Sequence, residues 1–120
     1  MTRPALLSPA FLGLAIGALA APAMAQDSIA LPLQGATLET ARYACDGGEP
    51  FEVKYLNAGP NSLAILPIDG AELIFVNVIS GSGARYASGQ YIWWSKGDTA
   101  TLENQMEEGS LQTCATAPAQ

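Results

Sequence analysis

Phe51-Glu52-Val53-Lys54-Tyr55, followed by Asn57-Ala58-Gly59-Pro60-Asn61 and then Ser62 to Leu66, is the stretch on which the fold turns. Over 51–55 apolar and charged residues alternate, the period of two that puts one strand face in a core and the other in water. Asn57 to Asn61 has turn composition, and Ser62 to Leu66 reads as a short strand stopped by Pro67. Asp69-Gly70 is a strong hairpin signal, since both residue types tolerate the positive φ of a tight two-residue turn. Glu72 to Val78, rich in Ile, Phe and Val, predicts a buried strand.

The same punctuation continues on either side. Leu38 to Cys45 is an earlier strand. After Val78 a Ser80-Gly81-Ser82-Gly83 loop leads into Ala84 to Ser88, Gly89-Gln90 turns into Tyr91 to Ser95, and Gly97-Asp98 turns into Thr99 to Glu103. Asn104 to Ser110 is a polar loop, Leu111 to Cys114 the last strand, and Ala115 to Gln120 a tail expected to fray. Gln26 to Ala36, with Pro32, reads as an extended arm or an edge strand. Together this is about eight short strands with a turn roughly every ten residues and no helical period, an all-β antiparallel sandwich or small barrel.

A different composition precedes these strands. Arg3 supplies one positive charge, Ala5 to Ala20 is apolar, and Ala23-Met24-Ala25 places small residues where signal peptidase needs them. Residues 1–25 therefore read as a secretory signal peptide, and the run is short for a membrane span. Residues 26–120 form one domain, small enough that its core is modest. No cysteine lies near the cleavage motif to accept a lipid, so a soluble periplasmic protein without a membrane anchor is expected. Cys45 and Cys114 are the only cysteines, and an oxidising compartment favours a disulfide between them over free thiols. Closing so long a loop is worth about 4 kcal/mol on chain entropy.

Charge and residue types narrow the chemistry. The net charge is −6, or −7 once Arg3 leaves, with only Arg42, Lys54, Arg85 and Lys96 positive. Nucleic acid and anionic membrane reward clustered Lys and Arg, so neither is an expected partner. A basic protein is favoured. There is no histidine, which removes the commonest general base and the Ser-His and Cys-His nucleophiles. It also leaves the two cysteines a poor zinc site, so no metal and no cofactor is expected. Glu49 with Glu52, and Glu107-Glu108, read as solvated loop charge, since nothing in their spacing indicates a glycosidase cleft or calcium loop. A Ser82–Lys96 dyad would need a desolvated lysine, and both residues sit in glycine-flanked loops that predict exposure. The chain does not read as an enzyme.

Those two loops carry the functional signal. Ser80-Gly81-Ser82-Gly83-Ala84-Arg85-Tyr86 and Tyr91-Ile92-Trp93-Trp94-Ser95-Lys96-Gly97-Asp98 each present one polar group beside aromatic residues. Glycines let such loops be narrow and protrude, as suits entry into another molecule's groove. Adjacent strand residues point to opposite faces, so only one of Trp93 and Trp94 can be core. The other covers an outer surface, and a mainly structural role is expected for both.

The two segments resemble the hallmark SGSGAxY and WW[TS]KG motifs of the membrane-bound and periplasmic inhibitors of c-type lysozyme. The resemblance runs from about Tyr43 to Cys114 and includes Tyr43-Ala44-Cys45-Asp46-Gly47-Gly48. It implies a small eight-stranded antiparallel barrel and c-type lysozyme as partner. Matching motif to motif, it implies Ser82 and Lys96 as the residues inserted into the enzyme's cleft. Gly81, Gly83, Arg85, Ser95 and Gly97 would surround them, and Tyr86 would support the loop or meet the rim. The expected state is a monomer or weak homodimer. The competing expectation is a small barrel that binds cell-wall sugar or another small ligand through Tyr91, Trp93 and Trp94.

Overall fold

Eight antiparallel strands close into a barrel in sequence order, each paired with the next and the last with the first. They are β1 (Thr37–Cys45), β2 (Phe51–Ala58), β3 (Asn61–Ile68), β4 (Ala71–Val78), β5 (Ala84–Ser88), β6 (Tyr91–Lys96), β7 (Thr99–Asn104) and β8 (Gln112–Thr116). The computed structural model describes residues 2–22 and 27–118. The expected cleavage motif Ala23-Met24-Ala25, Gln26 and the last two residues of the tail lie outside the described residues. The chain divides into two units, Met1–Ala30 and Leu31–Gln120, and the barrel belongs to the second. In the first, the described residues form neither helix nor strand.

Period-two patterning fills the interior. Tyr43, Val53, Ala64, Leu66, Phe75, Tyr86, Trp93, Ala100 and Cys114, contributed by all eight strands, form one buried cluster. Trp93 is wholly buried, with Tyr43 packed edge-on at 4.9 Å and Phe51 at 6.1 Å between ring centroids. Its indole N–H donates to the Tyr55 hydroxyl at 2.9 Å, which also hydrogen-bonds the Tyr43 hydroxyl at 3.1 Å. The Trp93, Tyr55 and Tyr43 polar groups thus satisfy one another, as burial demands. Burial pushes the Tyr43 hydroxyl well above the ordinary tyrosine range, and the bond to Tyr55 adds to this. Desolvation raises Tyr86 as well.

The structure corrects four sequence expectations. The turn expected over Asn57–Asn61 tightens to Gly59-Pro60, with Ala58 pairing Asn61. Pro67 does not end β3, which continues to Ile68 with Pro67 opposite Glu72. Ile68 and Ala71 flank a two-residue turn in which Asp69 and Gly70 both take positive φ. Pro67 therefore occupies a non-hydrogen-bonded position toward β4, and on its other side pairing with β2 has already stopped at Ile65. No partner needs its missing N–H. β4 is not buried throughout: Phe75 is core, whereas Ile74 and Val76 point outward and are exposed. Finally, Ala115 and Thr116 do not fray but pair with Ala44 and Tyr43 to close the barrel. That closure leaves no edge for residues 27–36, which contain no strand and turn at Gln34-Gly35 into β1.

Cys45 and Cys114 face each other across β1 and β8 and form a disulfide. The covalent link sits on the seam where the first and last strands meet. That seam joins residues 69 apart in sequence, so it is the pairing with the largest closure entropy to overcome.

Candidate functional site

Up-and-down connectivity sends alternate hairpins to opposite ends of the barrel. The β4–β5 loop, which carries Ser82, and the β6–β7 turn, which follows Lys96, share one end. Because β5 pairs with β6, with Ala84 opposite Ser95 and Arg85 opposite Trp94, the two loops are neighbours.

Each loop is shaped by its own short bonds. Ser80 Oγ donates to the Gly83 carbonyl at 3.2 Å, and Asn77 Nδ2 donates to the Arg85 carbonyl at 3.1 Å. Ser95 Oγ donates to the Ala84 carbonyl at 3.4 Å, and Thr99 Oγ1 to the Lys96 carbonyl at 3.1 Å. Gly83 has φ +63°, and a methyl there would run into the Ser95 carbonyl oxygen and come within 2.6 Å of Lys96 Cγ. Glycine is required at that position on both counts. Gly97 also has positive φ, +58°, but faces open space, and Gly81 is unrestricted.

Trp94 joins the two loops. Its indole N–H donates to the Ser82 carbonyl at 2.8 Å. The Lys96 ammonium lies 4.2 Å from the centre of its ring, and the Arg85 guanidinium 5.8 Å away, both within cation–π range. Two of the barrel's four cationic side chains thus gather on one indole at this end of an acidic molecule. Of the others, Lys54 pairs with Glu72 at 3.5 Å across β3.

Of the residues singled out by sequence, Ser82, Gly81, Gly83, Arg85, Ser95, Lys96 and Gly97 come together here, with Ser82 and Lys96 exposed. Tyr86 does not. Strand alternation turns Arg85 outward and Tyr86 inward, where it is only 5% exposed and packs against Tyr55 with ring centroids 5.8 Å apart. Of the two expectations for Tyr86, its place in the core excludes contact with the rim and leaves support of the loop from within. The sequence signal that brings Trp94 to the site is its spacing: Trp94 and Lys96 are two apart on a strand and so share a face.

The geometry also bears on the competing chemistries. Lys96 is exposed with its ammonium over an indole, not desolvated against Ser82 as a serine–lysine dyad requires. Tyr91, Trp93 and Trp94 cannot form one sugar platform. Trp93 is in the core, Trp94 is on the outer wall, and Tyr91 lines a cavity of about 470 Å³ at the barrel's opposite end with Phe51, Ile68 and Glu107.

The family described as membrane-bound lysozyme inhibitor of c-type lysozyme matches residues 43–110. A protein so named from Pseudomonas aeruginosa is 52% identical over 86 residues, covering 69% of this chain and 67% of the relative. One from Cupriavidus necator is 41% identical over 98 residues, covering 82% of this chain and 75% of the relative. The solved structure of Pseudomonas aeruginosa MliC in complex with hen egg white lysozyme is 46% identical, with a TM-score of 0.65 over 78% of this chain and 98% of that one. The chain belongs to the family of membrane-bound lysozyme inhibitors of c-type lysozyme.

Proposed function

We propose that this protein inhibits c-type lysozyme by inserting Ser82 and Lys96 into the enzyme's active-site cleft. The observation that carries the reading is the joining of two exposed polar tips at one barrel end through Trp94. Lysozyme cleaves its glycan with two carboxyl groups, one protonated as general acid and one ionised. A lysine ammonium between them is attracted to the ionised group and offers three donors. It also favours ionisation of the acid, which removes the proton that catalysis needs. A serine hydroxyl donates to a carboxylate and accepts from a neighbour, and Gly81, Gly83 and Gly97 keep both loops narrow. The protein is a binding protein that performs no chemistry of its own.

The test is inhibition of c-type lysozyme in a cell-wall lysis assay by the parent, Lys96→Ala and Ser82→Ala. Losing one partner of a desolvated charge pair costs about 2–5 kcal/mol, so Lys96→Ala should lose most inhibition. Ser82→Ala should cost less, about 1–3 kcal/mol. If both folded variants inhibit like the parent, the insertion reading is wrong.

The relatives are named membrane-bound, whereas we propose a soluble periplasmic form here, released by cleavage before Gln26. The support is chemical: both cysteines are consumed in the barrel's own disulfide, so neither is free to carry a lipid. The N-terminal sequence of secreted material tests this, and a membrane-retained, uncleaved form would contradict it.

A further inference from the structure

We infer that Trp94 is the positioning residue of the inhibitory surface: its indole fixes the Ser82 loop and parks the Lys96 ammonium in the free protein. The inference rests on the insertion reading but concerns a residue that does not itself enter the cleft. Three contacts converge on one side chain. The N–H holds the Ser82 backbone at 2.8 Å, the ring face holds the Lys96 ammonium at 4.2 Å, and the ring edge lies 3.3 Å from where a Gly83 methyl would stand. Trp94 is anchored in turn on the barrel wall, where β6 is paired on both sides, to Arg85 and to Thr101.

The consequence is preorganisation. An exposed four-carbon lysine stem at a strand end samples many rotamers, and ordering it on binding subtracts from affinity. Here the stem already lies across Gly83 with its charge directed onto the indole. The Ser82 tip is held in the same frame, so the spacing of the two tips is set before the partner arrives. Cation–π attraction at an exposed site is weak enough for a carboxylate to win the ammonium away. Trp94 thus orders Lys96 without trapping it. Arg85, 5.8 Å from the ring centre, stays behind as the second cation beside the indole.

The experiment compares parent, Trp94→Phe and Trp94→Leu, with circular dichroism to confirm folding. Side-chain proton shifts of Lys96 are read by NMR without and with hen egg white lysozyme. In the free parent, ring current should move the Lys96 side-chain protons upfield, and lysozyme should shrink that displacement. Trp94→Leu should abolish the displacement and weaken inhibition about tenfold, the combined size of one hydrogen bond and one cation–π contact. Trp94→Phe, which keeps the ring face and loses the donor, should fall between. In a Lys96→Ala background the Trp94→Leu loss should shrink, because there is no ammonium left to position. Unshifted Lys96 protons in the free parent would overturn the inference, as would parent-like inhibition by folded Trp94→Leu. If instead the parent fails to inhibit lysozyme, the insertion reading falls and the positioning role falls with it. A parent that inhibits while Trp94→Leu matches it sinks the positioning role alone.

Discussion

The stem of Lys96 crosses the backbone of Gly83 so closely that one added methyl on Gly83 would stand 2.6 Å from Lys96 Cγ. The Ser95 carbonyl crowds the same point, and the backbone there is already in the left-handed region at φ +63°. Neither backbone can yield cheaply, because β5 and β6 are paired at Ala84 and Ser95.

Gly83→Ala should therefore cost about 1–3 kcal/mol of stability, from the left-handed φ and the overpacking together. It should weaken lysozyme inhibition by more than the stability loss explains, since the alternative to unfolding is to push Lys96 off Trp94. Gly81→Ala is the control, because Gly81 faces open space without a positive φ. Thermal melts and inhibition constants for the pair check this. Equal behaviour of the two variants would mean that the close approach at Gly83 has no consequence.

Cys114→Ser should lower stability by about 2–5 kcal/mol, the range for native disulfides in small secreted domains. The physical reason is the seam: β1 and β8 pair over only three residue pairs, Tyr43 to Cys45 against Thr116 to Cys114. Denaturant melts with and without reductant should show the parent falling toward the variant on reduction, with little change in the variant itself.

Alkaline pH should unfold the protein earlier than its surface charge alone would. Tyr43 and Tyr86 have hydroxyls raised above the ordinary value of 10.0, mainly by burial. A raised acid binds its proton more tightly in the folded state. Its contribution is therefore complete below pH 10 and is lost as pH rises beyond it, when the unfolded tyrosines ionise first. Absorbance titration should show these two tyrosines ionising late and together with loss of near-ultraviolet dichroism. Tyr43→Phe should flatten the alkaline limb. Early, reversible ionisation of all four tyrosines with the fold intact would contradict it.

Most of the fold was legible because barrel strands obey one rule. Alternation at Phe51–Tyr55, the Asp69-Gly70 turn and the glycines between later strands located all eight strands, with β2 running three residues past the Phe51–Tyr55 alternation. Pro67 misled because whether a proline ends a strand depends on which neighbour needs its N–H, a fact of pairing that no local window holds. The exposure of Ile74 and Val76 was hidden for the same reason: an apolar run does not say that only one barrel face is interior. At the site, the loop residues were readable from their glycines and polar tips. Alternation through β5 and β6 brings Trp94 and not Tyr86 to the loops, and that needs the register.

Association with lysozyme should slow as salt rises. In the proposed cleaved form, without Arg3, the net charge is −7, and a basic enzyme is steered toward such a surface. Screening becomes substantial once the Debye length falls to about 8 Å, near 0.15 M salt. Stopped-flow association rates across ionic strength measure it. An on-rate indifferent to salt would leave the acidic surface without a role in encounter.

Lys96→Arg separates charge from shape. The guanidinium keeps the positive charge and stacks on indole at least as well as an ammonium, so the free protein should still hold its cation over Trp94. Between two carboxyl groups the demands differ. An ammonium is a compact point charge with three rotatable donors, whereas the guanidinium is a wide planar fork that pairs with one carboxylate at a time. If the tip must sit between both groups, Lys96→Arg should lose inhibition about tenfold or more while folding and encounter rate stay near parent, so the loss appears in dissociation. If charge alone suffices, Lys96→Arg and parent inhibit alike and only Lys96→Ala fails. Dissociation rates for the three proteins against one c-type lysozyme decide between a tip that is seated and one that is merely attracted.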